Sequence, residues 1–356
     1  MSPSRARAGA ETEAEGNDKD PLDGQHTAVE IEFRNVTKRY PGQSEPAISE
    51  LSLTVPAGAI CCLVGPSGGG KTTAMKLVNR LIELTEGDIL VGGESIRSMD
   101  VISLRRDIGY VIQQVGLFPH MTIARNIATV PSILGWSKDR IKQRVDELLD
   151  LVRLDRGYAK RYPAQLSSGQ QQRIGLARAL AVDPPVMLMD EPFGALDPLT
   201  REGIQDEFLR LQAQIGKTII FVTHDIDEAI KMGDQIAVLR EGGRLAQYGS
   251  ADELLGHPVD SFVADFVGAD RALKRLALRQ LGDLVGGPGA PAPPDAPTLS
   301  ETTTLRIGLS VLIETGAEVL VVTDGDGNQR GTVSLRQLRA AMREAGGVAT
   351  AKGDET

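Results

Sequence analysis

The sequence predicts an α/β fold: a mainly parallel sheet covered by helices, joined through a linker to a smaller α+β unit. Three observations carry that expectation. The apolar runs "AICCLV", "PVMLMD" and "KTIIFVTH" have the length of strands buried on both faces. Helical segments alternate with these runs, and alternation of that kind indicates parallel pairing. The stretch "DLVGGPGAPAPPDAPTL", dense in Gly, Pro and Ala, then separates off a shorter second pattern. A chain of 356 residues is also long for one ordinary core.

Taken in order, residues 1–27 are polar and charged and are expected to be a disordered tail. "VEIEFRNV" and "LSLTV" alternate as half-buried strands. "AICCLV" contains the chain's two cysteines, Cys61 and Cys62. Adjacent thiols in an apolar run suit a buried strand and a reducing compartment better than a disulfide framework. "GPSGGGKTTAMKLVNRLI" is a glycine-rich turn followed by helical spacing through Met75, Leu77, Val78, Leu81 and Ile82. "SKDRIKQRVDELLDLV" opens on a Ser cap and repeats apolar residues at Ile141, Val145, Leu148, Leu149 and Val152, which predicts an amphipathic helix over 137–152. The large domain is expected over 28–282, the linker over 283–297, the small unit over 298–345 and a second disordered tail over 346–356. The small unit reads helix, strand, tight turn at "DGDGN", strand, helix.

Composition narrows the function. Hydrophobic residues at 41% and charged residues at 24% suit a soluble globular protein. Aromatics at 4% and a net charge of −9 argue against a nucleic-acid partner. No apolar run approaches the roughly 18 residues that span a bilayer, so work at a membrane would go through a partner. The first residues carry no apolar h-region and are not read as a secretory signal.

The chemistry starts at "GPSGGGKT", Gly65 to Thr72, which fits G-x-x-x-x-G-K-[ST]. Gly65, Gly68, Gly69 and Gly70, with Ser67 among them, let successive backbone N–H groups curl around phosphate oxygens. The helix behind points its positive end at the same anion. Lys71 supplies a mobile charge to the β and γ phosphates, and the Thr72 hydroxyl, with Thr73 beside it, is placed to ligate Mg²⁺. In "VMLMDEP", Asp190 ends an apolar strand with Glu191 next to it. One carboxylate there can hold Mg²⁺ and the other can polarise an attacking water. His224 follows the strand-like "IIFV" and can orient a γ-phosphate, or stand beside a helix cap. Gln113 ends "IGYVIQ", where its carbonyl can ligate Mg²⁺ or simply face solvent. Tyr40 in "KRYPG" can stack on adenine or pack at a strand end.

In this order the pieces resemble the nucleotide-binding subunit of an ABC transporter, from about Val29 to residue 280. The resemblance implies a P-loop ABC-type domain, with a mainly parallel sheet, a helical subdomain and an antiparallel β subdomain. Tyr40 then looks like the adenine-stacking aromatic, "GPSGGGKTT" like Walker A, Gln113 like the Q-loop glutamine and "VMLMDEP" like Walker B. "LSSGQQQR", with Ser167, Ser168, Gly169 and Gln170, looks like the ABC signature, Asp197 like the D-loop aspartate and His224 like the switch histidine. It further implies ATP and Mg²⁺ as cofactors, with Thr72, Gln113 and Asp190 toward the metal and Lys71, Glu191 and His224 in catalysis. The implied unit is a homodimer that sandwiches each ATP between Walker A of one subunit and the signature of the other. Integral-membrane permease subunits, an extracytoplasmic solute-binding protein and a place on the cytoplasmic face of the membrane are implied too. Ser168 departs from the family's usual glycine. Its side chain could crowd a phosphate or demand an unfavourable φ, or be tolerated as small and phosphate-compatible.

Within the family, "IGYVIQQVGLFPHMTIARNI" and "FVTHDIDEAIKMGDQIAVLREGGRLAQYGS" look like the ATPase of osmoprotectant importers. Those handle glycine betaine, choline, carnitine or proline betaine. Another solute, such as an amino acid or other cation, and an ATP-binding switch with little turnover remain the alternatives. The C-terminal unit resembles one degenerate cystathionine-β-synthase-like (CBS) domain. Gln337 stands where nucleotide-binding versions commonly carry an acidic residue, so adenosine binding is not expected there. A regulatory or dimerising role and an inert tail both stay open.

Overall fold

A computed structural model describes residues 27–113, 116–285 and 293–346. The tail expected over 1–27 lies outside the described residues except for its last position, as does the middle of the expected linker and all but the first residue of the C-terminal tail. Among the described residues, ten strands build the large domain: β1 (Ile31–Lys38), β2 (Ile48–Val55), β3 (Ile60–Val64), β4 (Glu86–Val91), β5 (Glu94–Ser95), β6 (Ile108–Val111), β7 (Val186–Asp190), β8 (Thr218–Val222), β9 (Gln235–Leu239) and β10 (Leu245–Gly249).

The central sheet runs β10-β9-β3-β8-β7-β6. Every pairing in it is parallel except β9 with β10. All five residues of β3 and of β8 are buried, which is why they read as unbroken apolar runs. A second, antiparallel sheet runs β2-β1-β4-β5. Its β1 alternates, with Ile31 and Phe33 buried and Glu32 turned outward.

Two cores lie on the two faces of the central sheet. One gathers Phe33, Leu51, Leu63, Met75 and Val222 between the two sheets and α1 (Lys71–Val78). The other gathers Ile127, Leu148, Met189, Phe208 and Phe221 beneath the remaining helices. Cys61 belongs to the first and Cys62 to the second, since successive side chains of β3 face opposite ways. Burial pushes the Cys61 thiol up to about 12, so both cysteines are inert packing groups.

The helix after the glycine turn is shorter than the apolar spacing suggests. It stops at Val78, Arg80 turns to φ 50° and Leu81 is 47% exposed. The cause is tertiary. Arg105, from α2 (Val101–Arg106), donates to the carbonyls of Asn79 (3.1 Å) and Arg80 (2.7 Å), and so satisfies the helix end there.

Between β6 and β7 lies a helical subdomain of α3 (Ile123–Ile127), α4 (Thr129–Ile133), α5 (Lys138–Leu151) and α6 (Ser168–Ala179). The α5 helix appears where its spacing put it, with Ser137 as N-cap and Val145, Leu148 and Leu149 buried. Beyond β7 come α7 (Pro198–Ile215), α8 (Ile226–Met232), α9 (Ala251–Gly256), α10 (Ser261–Val267) and α11 (Arg271–Leu276).

The C-terminal unit contains β11 (Thr298–Ser300), α12 (Leu305–Thr315), β12 (Val319–Thr323), β13 (Gln329–Ser334) and α13 (Leu335–Gly346). Its three strands pair β11-β12-β13. Its core holds Leu305, Leu312, Leu320, Val333 and Leu338, and also Leu276 and Leu281. The packing at Leu281 is close: a Cβ added to Gly308 would stand 2.8 Å from Leu281 Cδ2. A domain boundary at 282 therefore cuts through this core. The segment around α11 serves both sides, because Lys274 also pairs with Asp227 on α8 (3.1 Å) and Arg275 with Asp252 on α9. No helix among the described residues is long and apolar enough to cross a membrane.

Candidate nucleotide site

The loop between β3 and α1 needs its glycines. Gly65 has φ 148°, and a Cβ there would meet the Leu239 carbonyl oxygen at 2.2 Å. Gly70 has φ 75°, and its Cβ would meet the Ala47 carbonyl oxygen at 2.4 Å. Both clashes are with backbone, so no side chain fits at either position. The Gly69 N–H donates to the Pro66 carbonyl (3.1 Å) and closes the turn.

Lys71 opens α1 with its side chain largely buried. Its Nζ donates to the carbonyls of Gly65 (2.7 Å) and Pro66 (2.9 Å), and so spans the mouth of the loop. Burial lowers its pKa, while Glu191 and Asp190 act in the opposite direction. The Thr72 hydroxyl donates to Asp190 Oδ1 at 3.1 Å. Burial raises the Asp190 carboxyl, the Thr72 bond pulls it down and neighbouring Glu191 raises it further. A half-buried carboxylate beside a hydroxyl, at the end of a phosphate-type loop, is a hard-oxygen pair. That suits Mg²⁺, which takes one or two protein oxygens and completes its shell with phosphates and water.

Glu191 has φ 42°, a left-handed conformation that costs a non-glycine residue about 1–3 kcal/mol. Its surroundings enforce it. The Glu191 N–H donates to the Val222 carbonyl (2.9 Å), and its own carbonyl accepts from Gly194 N (3.2 Å). The twist brings the carboxylate between two side chains: His224 Nδ1 lies 3.3 Å from Oε1, and Gln113 Nε2 donates to Oε2 at 2.9 Å. Gln113 thus reaches the glutamate next to Asp190 through its amide nitrogen. Tyr40 lines the same open cleft as Ser67 to Thr73 and Glu191, with Lys38 Nζ 4.9 Å from its ring centroid.

A second cleft lies at the head of α6, lined by Ser167, Gly169 and Gln170 together with Tyr158, Leu199 and Thr200. Ser167 caps α6: its Oγ accepts from Gln170 N (3.3 Å), and Gln170 Oε1 accepts from Ser167 N (3.0 Å). Gln170 Nε2 donates on to the Tyr158 hydroxyl at 3.0 Å. Ser168 is exposed in the first helical turn with ordinary helical geometry. Gly169 is the constrained neighbour. A Cβ there would stand 2.9 Å from Ile204 Cδ1 and 3.3 Å from Thr200 Cγ2 of α7. Asp197 caps α7 by accepting from Thr200 N (3.1 Å), and hydrogen bonds from Thr200 hold its carboxyl below the usual range.

The family described as ABC transporter matches residues 48–194. The chain is 51% identical, over 316 residues, to the osmoprotectant import ATP-binding protein OsmV of Salmonella typhimurium, covering 87% of this chain and 81% of that protein. The chain belongs to the ABC transporter ATP-binding proteins. It is also 44% identical to the carnitine transport ATP-binding protein OpuCA of Listeria monocytogenes, covering 88% and 77% of the two chains. Among solved structures it is similar to the dimeric ABC transporter cassette MJ0796, with 36% identity, a TM-score of 0.55 and coverage of 62% of this chain and 98% of that one.

Within this ABC cassette, the motif residues fall into two clusters. Tyr40, the glycine loop, Lys71, Thr72, Thr73, Asp190, Glu191, Gln113 and His224 form one. Ser167, Gly169 and Gln170 form the other, with Ser168 exposed beside them. Sequence reading missed Thr223, Gln205 and Glu228. Glu228 is a nearly buried carboxylate on α8 that accepts from Gln205 Nε2 (2.9 Å). Nothing local in "THDIDEA" marks it as buried. Gln337, read against a CBS pattern, caps α13: its Oε1 accepts from Ser334 N and Oγ, both at 2.8 Å. The S-x-x-Q spacing was the available signal.

Proposed function

We propose that this chain is the ATP-hydrolysing subunit of an importer for osmoprotectants of the glycine betaine, carnitine or choline type. The observation that carries the reading is the 51% identity to an osmoprotectant import ATP-binding protein over most of both chains. The geometry supplies a matching machine. In this reading two copies face each other, and each ATP lies between the glycine loop of one and the α6 head of the other. Tyr40 stacks on adenine. Loop N–H groups and the start of α1 hold the phosphates, and Lys71 turns from its carbonyl partners to the β and γ phosphates. Thr72 and Asp190 would hold Mg²⁺, which when bound neutralises charge on the phosphoryl oxygens. Glu191 polarises the attacking water, and His224 orients the γ-phosphate beside it.

Ser168 fits this reading. Its position asks for no left-handed backbone and leaves its side chain in solvent. The Ser167 cap and the N–H groups of the first turn still point out of the helix end toward a partner's phosphate. Permease subunits would bring the cassette to the cytoplasmic face of the membrane, and an extracytoplasmic binding protein would deliver solute. The C-terminal unit is, on the same footing, a single CBS-like domain.

The test is ATP hydrolysis by the complex isolated from its own membranes, reconstituted with its binding protein, with and without glycine betaine. Stimulation by betaine is expected. Turnover without stimulation would move the search to other cationic or zwitterionic solutes. ATP binding without turnover would refute the motor and leave a nucleotide switch.

A further inference from the structure

We propose that Glu228 is a positioning residue for His224, and that its bond to Gln205 couples the head of α6 to the catalytic pair His224–Glu191. The inference rests on the ATPase reading above and names a part of the same site not yet assigned.

Three contacts make the link. Gly169, at the head of α6, packs directly under Ile204 of α7. The next residue of α7, Gln205, is buried and donates its Nε2 to Glu228 Oε1 at 2.9 Å. Glu228 lies in the first turn of α8, and its backbone N–H donates to Oδ1 of Asp225 (3.3 Å), the residue that caps the helix and follows His224. The Asp225 N–H in turn donates to Oγ1 of Thr223 (3.0 Å), which is 1% exposed and immediately precedes His224. The residues on both sides of the histidine are therefore tied to each other and to the first turn of α8, which the Glu228 carboxylate ties to α7.

The carboxylate is suited to the task. It is nearly buried and accepts from Gln205, so the bond is costly to break. Burial raises its pKa, while the hydrogen bonds from Thr223 and Gln205 pull it back down. Further ties between the helices, from Lys231 Nζ to Asp206 Oδ1 (2.7 Å) and to the Glu202 carbonyl (3.4 Å), lie one turn farther along α8, toward the surface. A displacement of α6 against α7 would act at Ile204, and its neighbour Gln205 would pass it to Glu228. In the facing dimer, the α6 head meets one ATP while His224 serves the other, so the bridge lies between the two nucleotide sites.

Contiguous contacts become a coupling only when a measurement shows it. The full-length chain is assayed for ATP turnover over a range of ATP concentrations, as wild type, Glu228→Ala, Glu228→Gln, Gln205→Ala and the Glu228→Ala/Gln205→Ala double variant. Glu228→Ala is expected to lower kcat about tenfold with KM for ATP within about twofold. Glu228→Gln keeps one acceptor oxygen and is expected to recover most of the rate. The double variant is expected to be no slower than Glu228→Ala, because both changes break one connection. Gln205→Ala is expected to reduce the steepness of the rate against ATP concentration. Should Glu228→Ala not fold, Glu228→Gln and Gln205→Ala carry the test alone. An unchanged kcat in folded Glu228→Ala, an unchanged steepness in Gln205→Ala, or losses that multiply in the double variant would overturn the coupling while leaving the ATPase reading intact. Absence of turnover in the wild type would overturn both.

Discussion

Replacing Ser168 with glycine, the residue usual in the family, should leave ATP turnover within about threefold of the natural rate. The reasoning is local. Ser168 is exposed, lies in the first turn of α6 and has helical backbone angles, so removing its side chain relieves neither crowding nor strain. What changes is helix propensity, which disfavours glycine by about 0.5 kcal/mol relative to serine. In a domain of this size that lowers the melting temperature by about 1–2 °C. The neighbouring position provides the contrast. In Gly169→Ala the new methyl would stand 2.9 Å from Ile204 Cδ1 and 3.3 Å from Thr200 Cγ2. The isoleucine methyl is a free end and can turn away, so the overpacking cost is about 1–2 kcal/mol. The displaced head of α6 would then misdirect its N–H groups, and turnover should fall at least tenfold. Steady-state hydrolysis and a melting curve on both variants read these values. A tenfold gain in Ser168→Gly would refute the reasoning, since it would mean that the serine obstructs the site. Full activity in Gly169→Ala would refute the packing argument.

Three further outcomes are expected. Asp190 has a folded-state pKa above its ordinary 3.8, so the folded chain binds that proton more tightly than the unfolded one. Its contribution to stability therefore declines as pH rises from the unfolded value through the folded one. Asp190→Asn should accordingly raise the melting temperature at pH 7 without nucleotide while abolishing Mg²⁺-dependent turnover, and an unchanged or lower melting temperature would contradict the burial argument. Glu191→Gln keeps the shape of the side chain and removes the base, so hydrolysis should fall by about 10²-fold or more with ATP still bound, as read by turnover alongside nucleotide titration. Leu281→Ala should cost about 2–5 kcal/mol in the C-terminal core while ATP binding survives, since Leu281 packs with α12 rather than with the cassette's two cores. A calorimetric trace in which the whole chain melts together and earlier would show instead that the units are one cooperative body.

What the sequence made legible was what is contiguous in it. β3 and β8 are buried on both faces, so their apolar runs needed no tertiary context to be read. The glycine loop is one stretch whose backbone requirement is written as glycine, and α5 announces itself by a Ser cap and a single apolar face. The end of α1 was misjudged for the opposite reason. Leu81 and Ile82 continue the helical spacing, but Arg105, 25 residues beyond Arg80, takes up the carbonyls at the helix end. The boundary expected at 282 meets the same limit. An amphipathic segment shows that it has an apolar face but not which core receives it, and α11 gives Leu276 to the C-terminal core while Lys274 pairs with Asp227 on α8.

The same distinction explains how a family motif can vary at one position and hold at the next. The phrase "LSSGQQQR" presents Ser168 and Gly169 as adjacent members of one motif, of apparently equal standing. Their constraints have different origins. Where the backbone is helical, as at both positions, glycine is not required by φ, so only space can require it. Space at 168 opens to solvent, and space at 169 is filled by Ile204 from a helix some 35 residues later. Substitution is therefore cheap at the first and costly at the second, whatever the phosphate chemistry asks of either. Tolerance at the head of α6 is set by α7, the helix that also holds Glu228 through Gln205. A change at Ile204 should consequently disturb the α6 head as much as a change in the motif itself, although no motif includes it.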